Sequence, residues 1–331
     1  MSASKWTLDR LRIESAYWRA CVLISAGHIG LFAWIGKQPK SARALAAHFG
    51  GNAADWEIFC NALCAIGLLR KRGTKYANSA FSSRHLAGNG APFLLPEFDA
   101  WKRWGELAAA LRSGQRPKIH RPFFADGQQA RRLLSALQSD ARAIAPRLLD
   151  KLPLKHSRSL LDLGGGLGAF SIAFCRRYSD LQATLVEHPR VAPLARRAVA
   201  EAGLAKRIRV VGMNFARQNL PSGFDTVLVS NVLHSQSVAE NRALLGKIRN
   251  SLNSAGYLIV RDVFMNRERT APAWATLFSV ALLLHTPYGR CYALDEMLDW
   301  LRRAGFSRIR GPFRSSDVSF DPDSILIARS S

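Results

Sequence analysis

The sequence predicts an α/β fold, in which a mostly helical N-terminal domain precedes a doubly wound parallel sheet. Apolar residues recur at helical spacing from Leu11 to about Leu69, and no strand pattern interrupts them. From Ser159 onward, short apolar runs alternate with helical stretches, which is the pattern of βαβ units with helices on both faces of a sheet. The length of 331 residues suits about two domains, each with a core of its own.

The composition indicates a folded chain that works in a reducing compartment. Apolar residues make up 48% of the chain and charged residues 21%, and 47 Lys and Arg against 24 Asp and Glu give a net charge of +23. This charge leaves nucleic acid open as a partner without establishing it. The five cysteines are odd in number and have no metal-ligand spacing, and we find no signal peptide or membrane span. We expect a cytoplasmic protein without a structural metal.

Residues 1–92 are predicted to form a winged-helix module. Three helical runs, which predict three or four helices without strands, are followed after Gly67 by a basic hairpin with a glycine at its centre. Ser41 and Asn52 precede the second and third runs, where a side-chain oxygen caps free backbone N–H groups. The runs read IESAYWRACVLISAGHIGLFAWI, ARALAAHF and DWEIFCNALCAIGLL, and the hairpin reads RKRGTKYANS.

Two uses of this module stay open at this point. DNA reading is the best-known use of a winged helix, and the basic hairpin favours it. The third helical run, however, offers almost no basic or amide side chains to base edges. The first run contains Trp18, Phe32 and Trp34 among aliphatic residues with few charges, which favours a two-fold interface between copies of the chain.

Residues 93–152 are predicted to be a helical region that contributes to a substrate pocket. A stretch rich in proline, glycine and basic residues separates its two helical runs, LPEFDAWKRWGELAAALRSG and QQARRLLSALQSDARAIAPRLLDKL. Residues 153–331 then contain the predicted sheet, and ligands of such sheets bind beyond the carboxyl ends of the strands. Its strand runs are SLLDL, ATLVEH, RIRVVGMNF, FDTVLVSNVLH and GYLIVRDVF, with helices between them.

The strongest motif is a glycine-rich turn that directly follows the first strand of this sheet. Leu160 to Gly168 read LLDLGGGLG, so a buried strand runs straight into glycines that open a helix. Backbone approaches a ligand closely only where the Cβ atom is missing, and the helix N-terminus favours an electron-rich group. Asp162 precedes the glycines, and Glu187 follows about 20 residues later at the end of the next strand, where it suits a ribose diol.

At these residues the chain resembles the class I S-adenosylmethionine-dependent methyltransferases. It is most similar to the two-domain small-molecule O-methyltransferases of plant caffeate type and of bacterial antibiotic and pigment pathways. The resemblance covers nearly all of the chain, including the winged-helix module, which dimerises in that family and does not bind DNA. It implies a Rossmann-like sheet, S-adenosyl-L-methionine as cofactor and a homodimer. The resemblance also includes the motifs VVGMNF and SNVLH, the second of which is followed by a helix.

The resemblance also implies which residues hold the cofactor. Gly164 and Gly166 lie against its methionine and ribose part, and Glu187 takes the ribose hydroxyls. Asn214 and Phe215 border the adenine, where the family usually has Asp followed by an apolar residue. The complete set is Asp162, Gly164, Gly165, Gly166, Glu187, Asn214, Phe215 and Ser230, the last of them near the cofactor carboxylate.

His234 aligns with the general base of that family. It lies at the carboxyl end of the run FDTVLVSNVL, at the ligand-binding edge of the predicted sheet. An unperturbed imidazole has a pKa of about 6.5, so near neutral pH it takes a proton from a phenol whose oxygen attacks a methyl group. Methyl transfer from a sulfonium needs no metal, because the leaving thioether is neutral. The sequence therefore predicts base catalysis by His234 without a metal site.

The chain departs from its relatives around this histidine. The family usually follows the base with Asp-Trp and brackets it with two acids, whereas this chain reads His234-Ser235-Gln236. Asp262 supplies one acid, which we expect to hold a ring nitrogen, and Cys291 stands where the second is expected. The departure leaves open a carbon or nitrogen acceptor, or a member that binds the cofactor without methylating.

The acceptor pocket is predicted to form between the helix WATLFSVALLLHTPYG and the middle helical region. Helical spacing puts one side of that helix toward the pocket, and the second run of the middle region faces it across the cleft. An apolar and aromatic lining suits a flat conjugated acceptor. The predicted lining residues are Phe278, Leu282, His285, Tyr288, Leu134, Leu137 and Gln138. We expect methyl transfer to a hydroxyl of a small aromatic or conjugated metabolite, and a winged-helix DNA-binding regulator is the rival from a different class.

Overall fold

The chain divides into two compact units, Met1–Lys102 and Arg103–Ser331, in a computed structural model. The boundary falls inside the helical region predicted for 93–152, so the three-part division of the sequence stays a prediction. The structure describes residues 16–87, 101, 103–116, 134, 138, 141–142, 144–146, 148–149, 151–314 and 324–330.

The first unit consists of helices around a small antiparallel sheet. The predicted hairpin forms from β2 (Leu69–Arg72) and β3 (Lys75–Asn78), and β1 (Lys40–Ser41) joins it, so the sheet order is β1-β3-β2. Ser41 and Asn52 cap their helices, as predicted, by accepting from the backbone N–H groups of Ala44 and Asp55 at 3.2 and 2.9 Å. The elements are α1 (Ala16–His28), α2 (Leu31–Ile35), β1 (Lys40–Ser41), α3 (Ala42–Phe49), α4 (Ala53–Ala65), β2 (Leu69–Arg72), β3 (Lys75–Asn78) and α5 (Ala80–His85).

Two expectations for this unit are wrong in detail. A short strand, β1, precedes α3, because Pro39 and the extended conformation of the capping residue Ser41 keep the chain straight there. The first helical run breaks at Gly30, which adopts the left-handed conformation with φ +74°. As a result Phe32 lies on α2 and is fully buried in the unit's own core, where it cannot face a second chain. Trp34 is partly buried against the same core.

The second unit is built on a seven-stranded sheet with the order β11-β12-β8-β7-β4-β5-β6. The five strands from β8 to β6 are mutually parallel, and β12 and β11 are antiparallel to their neighbours. The strands are β4 (Ser159–Leu163), β5 (Gln182–Glu187), β6 (Ile208–Gly212), β7 (Phe224–Ser230), β8 (Leu252–Asp262), β11 (Phe306–Arg314) and β12 (Ser324–Ser330), beside a separate parallel pair, β9 (Phe264–Met265) and β10 (Tyr292–Ala293).

Helices cover both faces of this sheet, which confirms the predicted Rossmann-like, doubly wound architecture. Alternate residues of β4 point to opposite faces, so Leu160 belongs to one buried core and Leu161 to the other. Phe174 of α7 packs into the first core, and Trp300 of α11 packs into the second. The helices are α6 (Leu107–Ser113), α7 (Ala169–Arg177), α8 (Ala192–Glu201), α9 (Val238–Ser251), α10 (Ala273–His285) and α11 (Leu294–Arg303).

The strand order creates a crevice at the carboxyl ends of β4 and β7. From β4 the chain moves outward through β5 and β6, then returns to place β7 on the opposite side of β4. The connections after β4 and β7 therefore leave the sheet in different directions, and a crevice opens between them. The glycine-rich turn follows β4, and a 3₁₀ turn, Leu233–Ser235, follows β7. The topology brings these two turns, and the predicted site residues on them, to one edge of the sheet.

Candidate active site

The glycine-rich turn is shaped by close packing as well as by backbone conformation. Gly164 and Gly166 have φ of +71° and +58°, which favour glycine. A Cβ atom on Gly164 would lie 2.6 Å from the side chain of Val232, and one on Gly165 would lie 2.6 Å from the carboxyl carbon of Asp162. At Gly166 the nearest atom belongs to Leu134, at 3.8 Å. The first two glycines are therefore required by neighbouring protein atoms, whereas space remains beside Gly166.

Asp162 lies under this turn as a buried carboxylate with one unsatisfied oxygen. Ser171 of α7 donates its hydroxyl to Oδ2 at 2.6 Å, while Oδ1 has no hydrogen-bond partner among the residues that the structure describes. Burial raises the pKa of Asp162 to about 6, although the hydrogen bonds from Ser171 act in the opposite direction. A buried acceptor without a donor is costly, so this oxygen points to a ligand that carries a donor or a positive charge.

Glu187 connects the end of β5 to the glycine-rich turn. Its Oε2 atom accepts from the backbone N–H of Gly166 at 2.9 Å, and its Oε1 atom accepts from that of His188 at 2.7 Å. Burial raises the pKa of Glu187, although these two N–H groups lower it in part. The carboxylate thus holds the turn and lies beside the open space at Gly166.

Phe215 and Ser230 complete the same edge. A Cβ atom on Gly164 would lie 4.0 Å from Cε1 of Phe215, so this ring borders the turn. Asn214 uses its Oδ1 atom locally, accepting from the backbone N–H of Ala216 at 3.2 Å. Lys247 was not predicted from the sequence, yet its ammonium donates to the carbonyls of Phe215, Ala216 and Gln218 and holds this segment. Arg261 donates to the hydroxyl of Ser230 at 3.4 Å.

Asp262 holds both the side chain and the backbone of His234. Its Oδ1 atom lies 2.7 Å from Nδ1 of the imidazole, and its Oδ2 atom accepts from the backbone N–H groups of Leu233 and His234 at 3.1 and 3.3 Å. The N–H of Val263 also donates to Oδ1, at 2.8 Å. Both residues are buried. This bond assigns the Nδ1–H tautomer to a neutral imidazole, which puts the lone pair on Nε2.

The carbonyls of the same turn are held by residues that the sequence did not indicate. Asn241 donates to the carbonyl of Leu233 at 2.9 Å, and the backbone N–H of Arg290 donates to that of His234 at 2.8 Å. The hydroxyl of Tyr292 donates to the carbonyl of Gln236. These partners lie up to 56 residues away in the chain, so no local pattern could have pointed to them.

Cys291 lies in apolar surroundings where the second acid was expected. It is buried with Val263, Met265 and Leu282, and its backbone N–H donates to the hydroxyl of Ser279 at 3.0 Å. The thiol thus belongs to a small hydrophobic cluster, where the sequence led us to expect the second acid.

Phe278, one of the predicted acceptor residues, contacts His234. The ring centroids are 5.2 Å apart in an edge-to-face arrangement, and Trp274 lies 4.8 Å beyond Phe278. Leu282 is buried in the cluster around Cys291. His285 ends α10 half-buried, and burial together with the nearby charge of Arg103 lowers its pKa.

The helical spacing predicted through Tyr288 is wrong. The helix ends at His285, because Pro287 disfavours the helical conformation for Thr286, which is extended with φ −135° and ψ 154°. Tyr288 therefore lies outside the helix and is 60% exposed.

One predicted residue of the middle region, Leu134, lies beside the glycine-rich turn. Leu134 is buried beside Gly166, and the side-chain Nε2 of Gln138 is buried without a partner among the described residues. Leu137 lies outside the described residues. Within the same part of the chain, no group of three or more His, Cys, Asp or Glu is placed to hold a metal ion, and no helix is long and apolar enough to cross a membrane.

Comparison with known proteins identifies the family to which this site belongs. Residues 104–307 match a family model described as the O-methyltransferase domain. The chain belongs to the O-methyltransferase family. This O-methyltransferase is 30% identical over 311 residues to the 3-hydroxy-5-methyl-1-naphthoate 3-O-methyltransferase of Streptomyces sahachiroi, in an alignment that covers 90% of this chain and 89% of that one.

Two further comparisons cover nearly the whole O-methyltransferase. The tetracenomycin polyketide synthesis 8-O-methyl transferase of Streptomyces glaucescens is 28% identical over 331 residues, covering 97% of this chain and 96% of that one. The crystal structure of human N-acetylserotonin methyltransferase in complex with S-adenosylmethionine has the same fold, with a TM-score of 0.85, 22% identity and full coverage of both chains. The predicted family and fold class are confirmed, and S-adenosyl-L-methionine is the cofactor.

The residues present fit this cofactor. The unsatisfied Oδ1 atom of Asp162 suits an ammonium group, and the gap beside Gly166 admits a ligand where a side chain would intrude. Glu187 is a buried acceptor at the same turn, which suits hydroxyl donors. An unsatisfied carboxylate oxygen, an open glycine and a second buried carboxylate thus lie at two neighbouring strand ends.

The open glycine yields a first prediction. Gly166→Val fills the space beside the turn. We expect the affinity for S-adenosylhomocysteine to fall about 100-fold, because the new side chain clashes with the ligand or strains the backbone at its positive φ. Calorimetric titration measures it. Gly203→Val is the matched control, because Gly203 has φ +73° with open space around it, so backbone strain alone should leave binding unchanged. Unchanged affinity in a folded Gly166→Val protein contradicts the assignment.

Asp162 yields a second prediction, on stability. Because its folded-state pKa of about 6 exceeds the value of about 3.9 for an unfolded Asp, the folded state binds the extra proton, and stability falls as pH rises from about 4 to about 6. We expect about 2 to 3 kcal/mol of the free energy of unfolding to be lost in this window. Urea denaturation at several pH values between about 4 and about 6 measures this loss. In the control Asp162→Asn, the free energy of unfolding should depend less on pH. An equal pH dependence in both proteins refutes the prediction.

Proposed function

We propose that this O-methyltransferase transfers a methyl group to a hydroxyl of a small aromatic metabolite, with His234 as the general base. The observation that supports this most directly is the 2.7 Å bond between Nδ1 of His234 and Asp262 at the carboxyl edge of the sheet. A base needs one ring nitrogen held and the other facing its substrate. The family of the chain supports the reaction type.

In this proposal, His234 and Asp262 divide the work of proton removal. Bound S-adenosylmethionine supplies the electrophilic methyl group on its sulfonium. Nε2 of His234 accepts the proton of the acceptor hydroxyl as its oxygen attacks, and Asp262 stabilises the imidazolium that results. Because Asp262 also bonds to the backbone N–H of His234, the imidazole keeps its direction while its charge changes. The remaining task of the protein is alignment of the acceptor with the methyl group.

In the same proposal, the cofactor-binding residues predicted from the sequence act at the carboxyl edge of the sheet. The Gly164 to Gly166 turn faces the methionine and ribose part, and Glu187 accepts from the ribose hydroxyls. Asp162 faces the amino group of the methionine part, Ser230 lies toward its carboxylate, and Asn214 and Phe215 border the adenine. Phe215 is supported by its position 4.0 Å from a Cβ on Gly164.

An aromatic acceptor is favoured by the rings beside His234. Phe278 contacts the imidazole and Trp274 extends the apolar surface, with 44% of its side chain exposed. An aromatic surface of this kind suits a flat conjugated molecule. Two relatives are named for methyl transfer in naphthoate and tetracenomycin chemistry, which agrees with this class of acceptor.

His234→Ala separates base catalysis from cofactor binding. We expect its turnover to fall about 10² to 10⁴-fold, the usual worth of a positioned base, with affinity for S-adenosylhomocysteine unchanged. Asp262→Asn should slow turnover less, because the base remains. Release of S-adenosylhomocysteine with a panel of 1-naphthol, 2-naphthol and 3-hydroxy-2-naphthoate measures it. Turnover near that of the wild type in His234→Ala overturns the base and favours a carbon or nitrogen acceptor.

We also propose a homodimer formed through the first unit. Tyr17 and Trp18 on α1 are 57% and 62% exposed, which is unusual for such large side chains in a monomer. Helix α4 contains Asp55 and Glu57 and no Lys or Arg, which argues against recognition of DNA bases and so against the DNA-binding alternative.

The proposed homodimer can be tested by its molar mass in solution. We expect light scattering to give twice the chain mass of 36.6 kDa at micromolar concentration, and Trp18→Glu to shift the mass toward the monomer by burying a charge in the interface. Arg19→Glu is the control, since it changes charge on the same helix without removing an aromatic side chain. A monomeric wild-type protein contradicts the proposal. Strong, salt-sensitive binding to duplex DNA in a gel-shift assay would favour the DNA-binding alternative.

A further inference from the structure

We propose that Arg116 is a positioning residue for His234 and acts through the segment 286–290, called here the 286–290 loop. The inference rests on the proposed function, in which His234 is the base. Arg116 follows α6, about 170 residues before this loop in the chain, and the two meet in the second unit.

The 286–290 loop reverses the chain after α10 and is closed by its own side chains. The hydroxyl of Thr286 donates to the carbonyl of Leu282 at 2.8 Å and accepts from the backbone N–H of Gly289 at 2.7 Å. Pro287 stops the helix at this point. These bonds define a tight loop, but they leave the carbonyls of Thr286 and Gly289 to find donors elsewhere.

Arg116 supplies those donors. Its Nη1 atom donates to the carbonyl of Thr286 at 3.1 Å and to that of Gly289 at 3.0 Å. Within the described part of the chain Arg116 forms no ion pair, so its charge is directed at these two carbonyls. Burial lowers the pKa of the guanidinium. An arginine that is partly removed from water to bond two carbonyls of one loop fixes the position of that loop.

The loop in turn lies against the backbone of His234. The N–H of Arg290 donates to the carbonyl of His234 at 2.8 Å. A Cβ atom on Gly289 would lie 2.6 Å from the same carbonyl oxygen and 3.2 Å from Cα of Ser235, so the contact exists only because residue 289 is glycine. Phe278, whose ring meets the imidazole, belongs to the helix that the loop terminates.

The contacts therefore run from Arg116 to the loop carbonyls, from Arg290 to the backbone of His234, and from there to the imidazole. Asp262 sets the rotation of the ring, and the loop sets where its backbone lies. A shift of about 1 Å in a reacting group costs up to about 10²-fold in rate. Loss of Arg116 should thus reduce the rate of the chemical step without touching the glycine-rich turn.

The test compares Arg116→Ala, Arg116→Lys and Gly289→Ala with the wild type, using S-adenosylhomocysteine release from the naphthol panel. We expect kcat to fall about 10- to 100-fold in Arg116→Ala and Gly289→Ala, with calorimetric affinity for S-adenosylhomocysteine unchanged. Arg116→Lys should recover part of kcat, because an ammonium has donors for both carbonyls but is less pre-organised than a guanidinium. Added guanidinium ion at a concentration that does not denature should raise kcat of Arg116→Ala. Arg112→Ala, an exposed arginine on α6, is the control and should match the wild type.

Two measurements separate this inference from the proposed function. In a His234→Ala background, Arg116→Ala should cause no further loss, because both act through one imidazole. The NMR signal of the His234 Nδ1–H, assigned by its disappearance in His234→Ala, should broaden in Arg116→Ala and stay sharp in Arg112→Ala, whether or not an acceptor turns over. Full additivity of the two substitutions, or an unchanged Nδ1–H signal, overturns the role of Arg116. Normal turnover of His234→Ala instead overturns the base.

Discussion

The carboxylate of Asp262 is the interaction on which the arrangement of the sheet's carboxyl edge depends. It is buried at the end of β8 and accepts from the backbone N–H groups of Leu233, His234 and Val263 as well as from the imidazole. A buried carboxylate is stable only when its oxygens are bonded. The strand end, the 3₁₀ turn and the direction of His234 are therefore determined together, and the 286–290 loop and Asn241 add support from outside.

At the glycine-rich turn, by contrast, one buried carboxylate oxygen has no hydrogen-bond donor among the described residues. Asp162 is bonded on one side by Ser171, while its other oxygen lies under the turn without a donor among the described residues. Such an arrangement costs folding free energy and is typical of sites that await a ligand. In the proposed cofactor site, a donor group of S-adenosylmethionine would satisfy this oxygen. Asp162 and Asp262 thus differ in their hydrogen bonds: one oxygen of Asp162 has no partner among the described residues, whereas both oxygens of Asp262 accept hydrogen bonds.

The parts predicted correctly from the sequence are those with local patterns. The alternation of strands and helices, the glycine-rich turn and the caps at Ser41 and Asn52 depend on residues within a few positions of one another, so periodicity and spacing reveal them. The error at Phe32 arose because tertiary packing places this side chain in the core of its own unit. The error at Tyr288 is local, because Pro287 ends α10 and the helical spacing was extended past it. Arg116 and Tyr292 meet their partners only after the chain has folded, and no spacing in the sequence predicts such contacts.

The turn that holds His234 is anchored mainly by main-chain groups. Leu233 and His234 bond to Asp262 through N–H groups, and Arg290 and Asn241 bind the carbonyls of the same two residues. None of these four bonds requires an imidazole. The side chain at position 234 is therefore free to mutate while the turn keeps its shape, so evolution or a protein engineer can exchange the reactive group without rebuilding the scaffold. In this turn the main-chain bonds determine the shape, and the side chain at position 234 determines the chemistry.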